Sequence, residues 1–135
     1  MITPIFAMVA LTFIIGIVTI KVRLASIRQG KVGIKYYRTM TEETATVPED
    51  VLKTSRCFSN QFEMPTLFYV VAILYIQFDI NGILPLIFAW LFILFRSTQS
   101  YIHLTYNNVL HRASAFWLSC ICLVILWLNL AIAIS

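Results

Sequence analysis

Four apolar runs separated by polar segments divide the chain, at residues 2–20, 64–78, 83–95 and 113–134. A helix that crosses a hydrocarbon layer of about 30 Å needs roughly 20 residues, because each residue adds about 1.5 Å. The first and last runs reach that length unaided, and the shorter two reach it if each helix continues into neighbouring polar residues. The pattern therefore predicts four transmembrane helices.

The first run has a second interpretation, a signal peptide that is cleaved after export. Such a peptide begins with basic residues and ends at a small-residue cleavage site of the A-x-A type. No Lys or Arg precedes Lys21, and nothing after the apolar run resembles A-x-A. We therefore expect the first run to be a retained span.

The second helix has to begin well upstream of its apolar run, which is only 15 residues long. Thr46 and Glu49 have the three-residue spacing of a capping box, which marks the start of a helix. These features predict a single helix over about residues 47–78. Pro65 lies inside it and should kink it near residues 61–63.

The remaining helices follow from the turns between them. Residues 79–82, Asp-Ile-Asn-Gly, form a turn that makes helices two and three an antiparallel hairpin, and Asn107 and Asn108 open a second short loop. The predicted helices lie at about residues 2–28, 47–78, 83–106 and 112–134. The fold class predicted for the single domain at residues 1–135 is therefore an all-α integral membrane protein, a bundle of four transmembrane helices.

Composition favours a membrane protein and excludes an ordinary soluble domain. Hydrophobic residues make up 60% of the 135 residues and charged residues only 12%, and the mean hydropathy is +0.85. The net charge of +4 comes from basic residues gathered in one segment, so it indicates membrane orientation and lipid headgroup contact rather than nucleic-acid binding. Those residues are Lys21, Arg23, Arg28, Lys31, Lys35, Arg38, Lys53 and Arg56.

These charges also predict the orientation of the bundle. The turn at residues 79–82 has no basic residue, whereas the segment after the first span is rich in them. By the positive-inside rule, that segment and the loop before Arg112 lie in the cytoplasm. We therefore expect both termini on the non-cytoplasmic side.

Two trios of polar residues interrupt the apolar surfaces of helices two and three. They are Arg56, Asn60 and Glu63, spaced i, i+4 and i+7, and Arg96, Gln99 and His103, spaced i, i+3 and i+7. At about 100° per residue, each trio occupies a stripe less than a quarter-turn wide and faces one neighbour. An ionisable residue within a span is costly unless it is paired, and by default it marks a functional site.

Glu63 and Arg96 lie at the same predicted depth, about 20 Å from the outer surface when counted along each helix from the turn that joins them. A buried charge needs a partner, so we expect an ion pair between these two side chains. Such a pair could serve only to hold the helices together. The surplus of positive groups in the same half, including Arg56 and Arg112, instead favours a site for an anion such as a peptide carboxylate or a thiolate.

We expect no metal site. The cysteines, Cys57, Cys120 and Cys122, and the histidines, His103 and His111, have none of the spacings typical of metal ligands. The sequence therefore gives no indication of a zinc, haem or iron–sulfur protein.

The polar residues of helix two match a known motif. The matching residues are Arg56, Asn60 and Glu63 in the segment R-C-F-S-N-Q-F-E, followed by Pro65 and Phe68. They resemble the R-x-x-x-N-x-x-E signature of the MAPEG family, the membrane-associated proteins of eicosanoid and glutathione metabolism, which includes microsomal glutathione transferases and the leukotriene and prostaglandin E synthases. Helix three is similar as well, since Arg96 stands where the family often has an arginine. The resemblance covers about residues 10–130 and is to short, bacterial-type members.

The resemblance implies a homotrimer that binds glutathione, as a co-substrate, between neighbouring subunits. The implied glutathione contacts are Arg23, Arg56, Asn60, Glu63, Arg96, Gln99 and His103. Arg112 falls near the family arginine that stabilises the glutathione thiolate, so it is the implied catalytic residue. Gln99 and His103 stand where many members have a histidine or tyrosine and a tyrosine, and Met64 follows the glutamate where some members have a tyrosine.

Three functions are compatible with these features. The first is a glutathione- or thiol-dependent transferase or peroxidase acting on lipophilic electrophiles, small molecules that enter from the bilayer. The second is a non-catalytic binding or accessory subunit of a larger membrane complex, which the replaced tyrosines favour. The third is a small proton-coupled exporter, but arginines around Glu63 would keep that carboxylate ionised and unable to cycle protons. We expect the first or the second.

Overall fold

The computed structural model describes residues 1–33, 36–37 and 47–135. Its helices are α1 (Ile2–Arg28), α2 (Glu49–Ser59), α3 (Met64–Gln77), α4 (Ile83–Leu104) and α5 (Val109–Ile134). No strand occurs within those ranges, so the predicted all-α class is confirmed. Of the sequence features used above, Lys35, Arg38 and Thr46 lie outside the described residues.

Three of the helices, α1, α4 and α5, are long and apolar enough to cross a membrane. The second predicted helix is present in two pieces, since α2 has 11 residues and α3 has 14. The pieces pack differently, because α2 packs mainly against α1 and α4, whereas α3 packs mainly against α5 and α1. The interruption between them therefore lets the two pieces pack against different pairs of helices.

A proline explains the interruption of the second predicted helix. Pro65 has no backbone N–H to give to the carbonyl of Gln61, and in a continuous helix its ring would clash with that same carbonyl. The chain leaves helical geometry at residues 60–63 and becomes helical again at Met64, so that the proline lies in the first turn of α3, where it is favoured. The predicted kink is thus a full break, and two helices replace the single one predicted over residues 47–78.

Polar residues with positive φ end the spans. Asp79 (φ 49°) follows α3, and Asn107 (φ 48°) follows α4, which ends at Leu104. Both residue types tolerate the left-handed conformation better than most others. Asn108 then accepts hydrogen bonds from two backbone N–H groups in the first turn of α5, so this helix begins at Val109 rather than near residue 112.

The apolar core lies where α1, α3, α4 and α5 meet. Phe68 of α3 stacks on Phe92 of α4, with ring centroids 4.7 Å apart and ring planes inclined by 10°. The buried residues of this core are Met8, Phe68, Val71, Ala72, Tyr75, Ala89, Phe92, Ile93, Cys122, Leu123, Leu126 and Leu130. Many large apolar side chains on the other faces of α1, α4 and α5 are exposed, as expected of helices that contact lipid.

Gly16 lets α1 and α2 approach closely. A Cβ atom at this position would lie 3.2 Å from the Phe58 ring, and small residues permit such contacts between membrane helices. We expect Gly16→Ile to lower the melting temperature in detergent, since overpacking costs about 1–3 kcal/mol. Adding Phe58→Ala should restore part of the loss. Ala10→Ile, on an exposed face of α1, is the matched control, and equal melting of both isoleucine variants would contradict this packing.

Candidate functional site

Between α2 and α3, at residues 60–63, the second predicted helix is broken, and some backbone carbonyl groups lose their helical hydrogen bonds. Side chains donate hydrogen bonds to these carbonyl groups instead. Gln61 donates through Nε2 to the carbonyl oxygen of Cys57 at 3.3 Å. The guanidinium of Arg96 reaches across from α4 and donates through Nη2 to the carbonyl oxygen of Asn60 at 2.5 Å. Because water is absent from the hydrocarbon layer, an unpaired carbonyl there is costly, and these bonds are what makes the break tolerable in a span.

Arg96 is a buried cation, and no carboxylate among the described residues pairs with it. Its side chain is only 1% exposed, and its Nη1 donates to Oε1 of Gln99 at 2.7 Å. The bond to Asn60 places the guanidinium at the carboxyl end of α2, where the helix dipole favours positive charge. The remaining Nε group is buried with no partner among the described residues.

The expected ion pair between Glu63 and Arg96 is wrong. Glu63 is exposed, and the described residues contain a single ion pair, from Nζ of Lys53 to Oε1 of Glu49 at 2.9 Å. The break is the physical reason. Glu63 precedes α3 with φ −88° and ψ −93°, so the i, i+7 spacing from Arg56 does not determine where its side chain points. Its charge still lies close enough to act on the guanidinium of Arg96.

Gln61 and Ser100 belong to the same bonded group, although neither was predicted. Gln61 is 2% exposed, and its Nε2 also donates to Oγ of Ser100 at 3.2 Å. Ser100 follows Arg96 by four residues and so lies on the same face of α4, which is the signal that could have identified it. Gln61 lies inside the recognised motif, but only the break explains why it points inward.

A group of positive charges surrounds His103, which is 3% exposed near the end of α4. The charges that act on its ring are those of Arg112, Arg56 and Lys53. The charge of Arg112 also acts on the thiol of Cys57. Arg56 is exposed and Arg112 half-buried, so a ligand can reach both.

Asn107 holds Arg112, and it too was missed from the sequence. Nη1 of Arg112 donates to Oδ1 of Asn107 at 2.9 Å. Asn107 also adopts a left-handed conformation in the loop between α4 and α5. Asn107 therefore belongs to the loop before α5 and also holds the guanidinium of Arg112 in the first turns of that helix.

Arg23 makes its contacts away from these groups. Its Nη2 donates to Oγ of Ser55 at 3.0 Å, and its guanidinium lies 5.7 Å from the centre of the Tyr37 ring. The other predicted residues form a bonded group of Asn60, Arg96 and Gln99 and a charged group of Arg56, His103 and Arg112, with Glu63 exposed beside the break.

An apolar cleft of about 300 Å³ lies between α3 and α5. Its lining residues are Met64, Leu67, Cys120, Leu123, Val124, Trp127 and Leu128. Met64 in this lining is the first residue of α3, so one end of the cleft adjoins the break.

Membrane-length helices around a buried guanidinium define a polytopic membrane protein with a polar site inside it. A model of the MAPEG family matches residues 1–132, and the chain belongs to this family of membrane proteins. The resemblance identified from the helix-two motif is thereby confirmed. Comparison with curated proteins gives no match, and comparison with solved structures gives none either.

Proposed function

We propose that this protein is a glutathione- or thiol-dependent transferase or peroxidase that acts on lipophilic electrophiles within the membrane. The observation that carries the proposal is the excess of arginines over carboxylates near the break, among the residues that the structure describes. Arg56 and Arg112 both lie near His103, with the buried charge of Arg96 behind them at the break, and Glu63 is the carboxylate that the described residues place beside the break. Such a site suits a ligand with more negative than positive groups.

Glutathione fits this distribution of charges. It carries two carboxylates, one ammonium group, two peptide groups and a thiol. Exposed Arg56 and exposed Glu63 are available to a carboxylate and to the ammonium group, respectively. Asn60, half-buried at the break, offers an amide to the peptide groups. Arg112 is then available to the sulfur, because a nearby cation stabilises the thiolate form.

The apolar cleft supports a lipophilic second substrate. Its walls are almost entirely apolar, and Met64, the first residue after the break, lies in its lining. In a conjugation reaction, the thiolate sulfur of glutathione forms a bond to an electrophilic carbon, and the leaving group departs with the electron pair of the bond that breaks. The contribution of this chain is to hold both partners and to keep the sulfur ionised.

A second candidate is a non-catalytic binding or accessory subunit. The observation in its favour is that Gln99 is already occupied, because its Oε1 accepts the bond from Arg96. His103 is buried. Neither residue presents a free hydroxyl, as the family tyrosines at these positions do, so binding without chemistry is the alternative.

An activity assay separates the two candidates. We expect purified protein in detergent to conjugate glutathione to a lipophilic aryl chloride, or to reduce a lipid hydroperoxide at its expense, with saturable dependence on both substrates. S-methylglutathione, whose sulfur is blocked, should inhibit without reacting. Saturable glutathione binding without either activity would support the accessory subunit instead.

We further propose a homotrimer in contact with the lipids of a bacterial inner membrane, with both termini on the non-cytoplasmic side. The family resemblance implies this assembly, and exposed Arg56 and Glu63 would then hold glutathione between neighbouring subunits. Native mass measurement in mild detergent should give three times the chain mass of 15.5 kDa. Monomers in every detergent would contradict this assembly.

A further inference from the structure

Burial, rather than a lack of free donors, separates Arg96 from a ligand. Its Nη1 and Nη2 groups already bond to Gln99 and to the carbonyl oxygen of Asn60. Its side chain is 1% exposed, so a ligand that arrives at the exposed side chains of the break meets little of it. Its contacts instead join α4 to the carboxyl end of α2.

A second link joins the same two helices. Gln61, within the break, binds Ser100 of α4 at 3.2 Å and the carbonyl oxygen of Cys57 in α2 at 3.3 Å. Arg96 and Ser100 are four residues apart on α4, so both links act on one face of that helix. Together they fasten a stretch of backbone that has lost its own helical hydrogen bonds.

We propose that Arg96 is a positioning residue that holds the break against α4, rather than a ligand-binding residue. We call its bonds to Asn60 and Gln99, together with the bond from Gln61 to Ser100, the latch. The latch keeps Asn60 and Glu63 where a ligand can reach them, and this part rests on the proposed function. The latch itself does not depend on any ligand. When it opens, the carboxyl end of α2 separates from α4, and Cys57 is uncovered.

Cys57 provides a direct test, because it is 1% exposed and lies in the last turns of α2. Two backgrounds are needed, one that retains Cys57 as the only cysteine and one that retains Cys122, which is 4% exposed in α5. In each, the rate of maleimide labelling is measured in detergent without glutathione. We expect Arg96→Met to label Cys57 about tenfold faster than the parent and to leave the labelling of Cys122 unchanged.

Two further variants separate the latch from a general loss of stability. Tyr75→Phe removes the buried hydrogen bonds of Tyr75 to the carbonyl of Leu126 and to Asn129, in the other half of the bundle. It should leave Cys57 labelling at the parent rate. Gln99→Leu keeps the arginine but removes its aligning acceptor, and it should speed Cys57 labelling several-fold even if Arg96→Met does not fold.

Equal labelling of Cys57 in the parent and in Gln99→Leu or Arg96→Met would overturn the latch. So would equal acceleration at Cys57 and Cys122, which means global opening. These outcomes are measured without ligand, so they decide the latch even if glutathione does not bind and the proposed function fails. If glutathione does bind, we expect it to slow Cys57 labelling in the parent, since it would hold the break from its exposed side.

Discussion

Replacing Arg112 with alanine should lower the rate of glutathione conjugation by about 100-fold, the scale expected for the loss of one electrostatic stabiliser. The affinity for glutathione should stay within a few-fold of the parent value, because Arg56 and Glu63 remain to hold its charged groups. The proposed reason is that half-buried Arg112 stabilises the negative charge on the glutathione sulfur, whereas other residues hold the rest of the ligand. Steady-state kinetics with an aryl chloride measures the effect.

Two other variants test whether this effect belongs to the site. Arg28→Ala removes an exposed arginine at the end of α1 and should leave the rate unchanged. Asn107→Gly keeps the left-handed backbone, since φ is 48°, but removes the oxygen that fixes Arg112. Its rate should fall between those of the parent and Arg112→Ala. An Arg112→Ala enzyme as fast as the parent would contradict the catalytic assignment.

Replacing Glu63 with glutamine should weaken glutathione binding by about tenfold or more, since the ammonium group of the ligand loses a charged acceptor. The melting temperature should stay close to that of the parent. This follows from the exposure of Glu63, because a carboxylate with no buried partner can be neutralised without leaving a charge unpaired. Isothermal titration and thermal melting in the same detergent measure the two quantities.

The same substitution distinguishes a ligand contact from a structural ion pair. Breaking a buried pair costs about 3–5 kcal/mol, which would lower the melting temperature strongly. Glu49→Gln is the matched control, because it removes a carboxylate that is paired with Lys53 one turn away. It should change neither binding nor melting. A large loss of stability in Glu63→Gln would show that Arg96 depends on this carboxylate after all.

The long apolar helices could be predicted from the sequence because hydropathy alone determines them. The polar face of α4 could be predicted for a similar reason. Arg96, Gln99 and His103 lie within an uninterrupted helix, so their spacing places them on one face, and the structure buries all three. The position of the interruption also followed from one residue, Pro65, whose effect on a helix is local and well defined.

The direction of the side chains at the break could not be predicted in this way. The spacing of Arg56, Asn60 and Glu63 indicates one face only if the helix continues, and it ends at Ser59. Glu63 then points outward and Gln61 inward. Which side chain binds each freed backbone carbonyl depends on how α4 packs beside the break. That information lies in tertiary contacts rather than in residue spacing. The bond from Arg96 to the Asn60 backbone is the clearest example.

The role of Asn107 was hidden for a related reason. In the sequence it is a loop former beside Asn108, and both residues favour turns. In the structure the two asparagines act differently, since Asn108 caps α5 and Asn107 binds Arg112. A side chain in a turn has no periodic pattern, so only the folded loop shows what it contacts.

The central claim is that this chain binds glutathione and holds its sulfur as a thiolate. A free cysteine thiol has a pKa near 8.5 and is mostly protonated at neutral pH, so a thiolate absorbance at pH 7 that saturates with glutathione would arise from the bound molecule. We expect this absorbance in the purified parent, and we expect Arg112→Ala to lose it while still binding. Glutathione that binds to the parent without thiolate absorbance near pH 7 would contradict the account and leave the accessory subunit as the function.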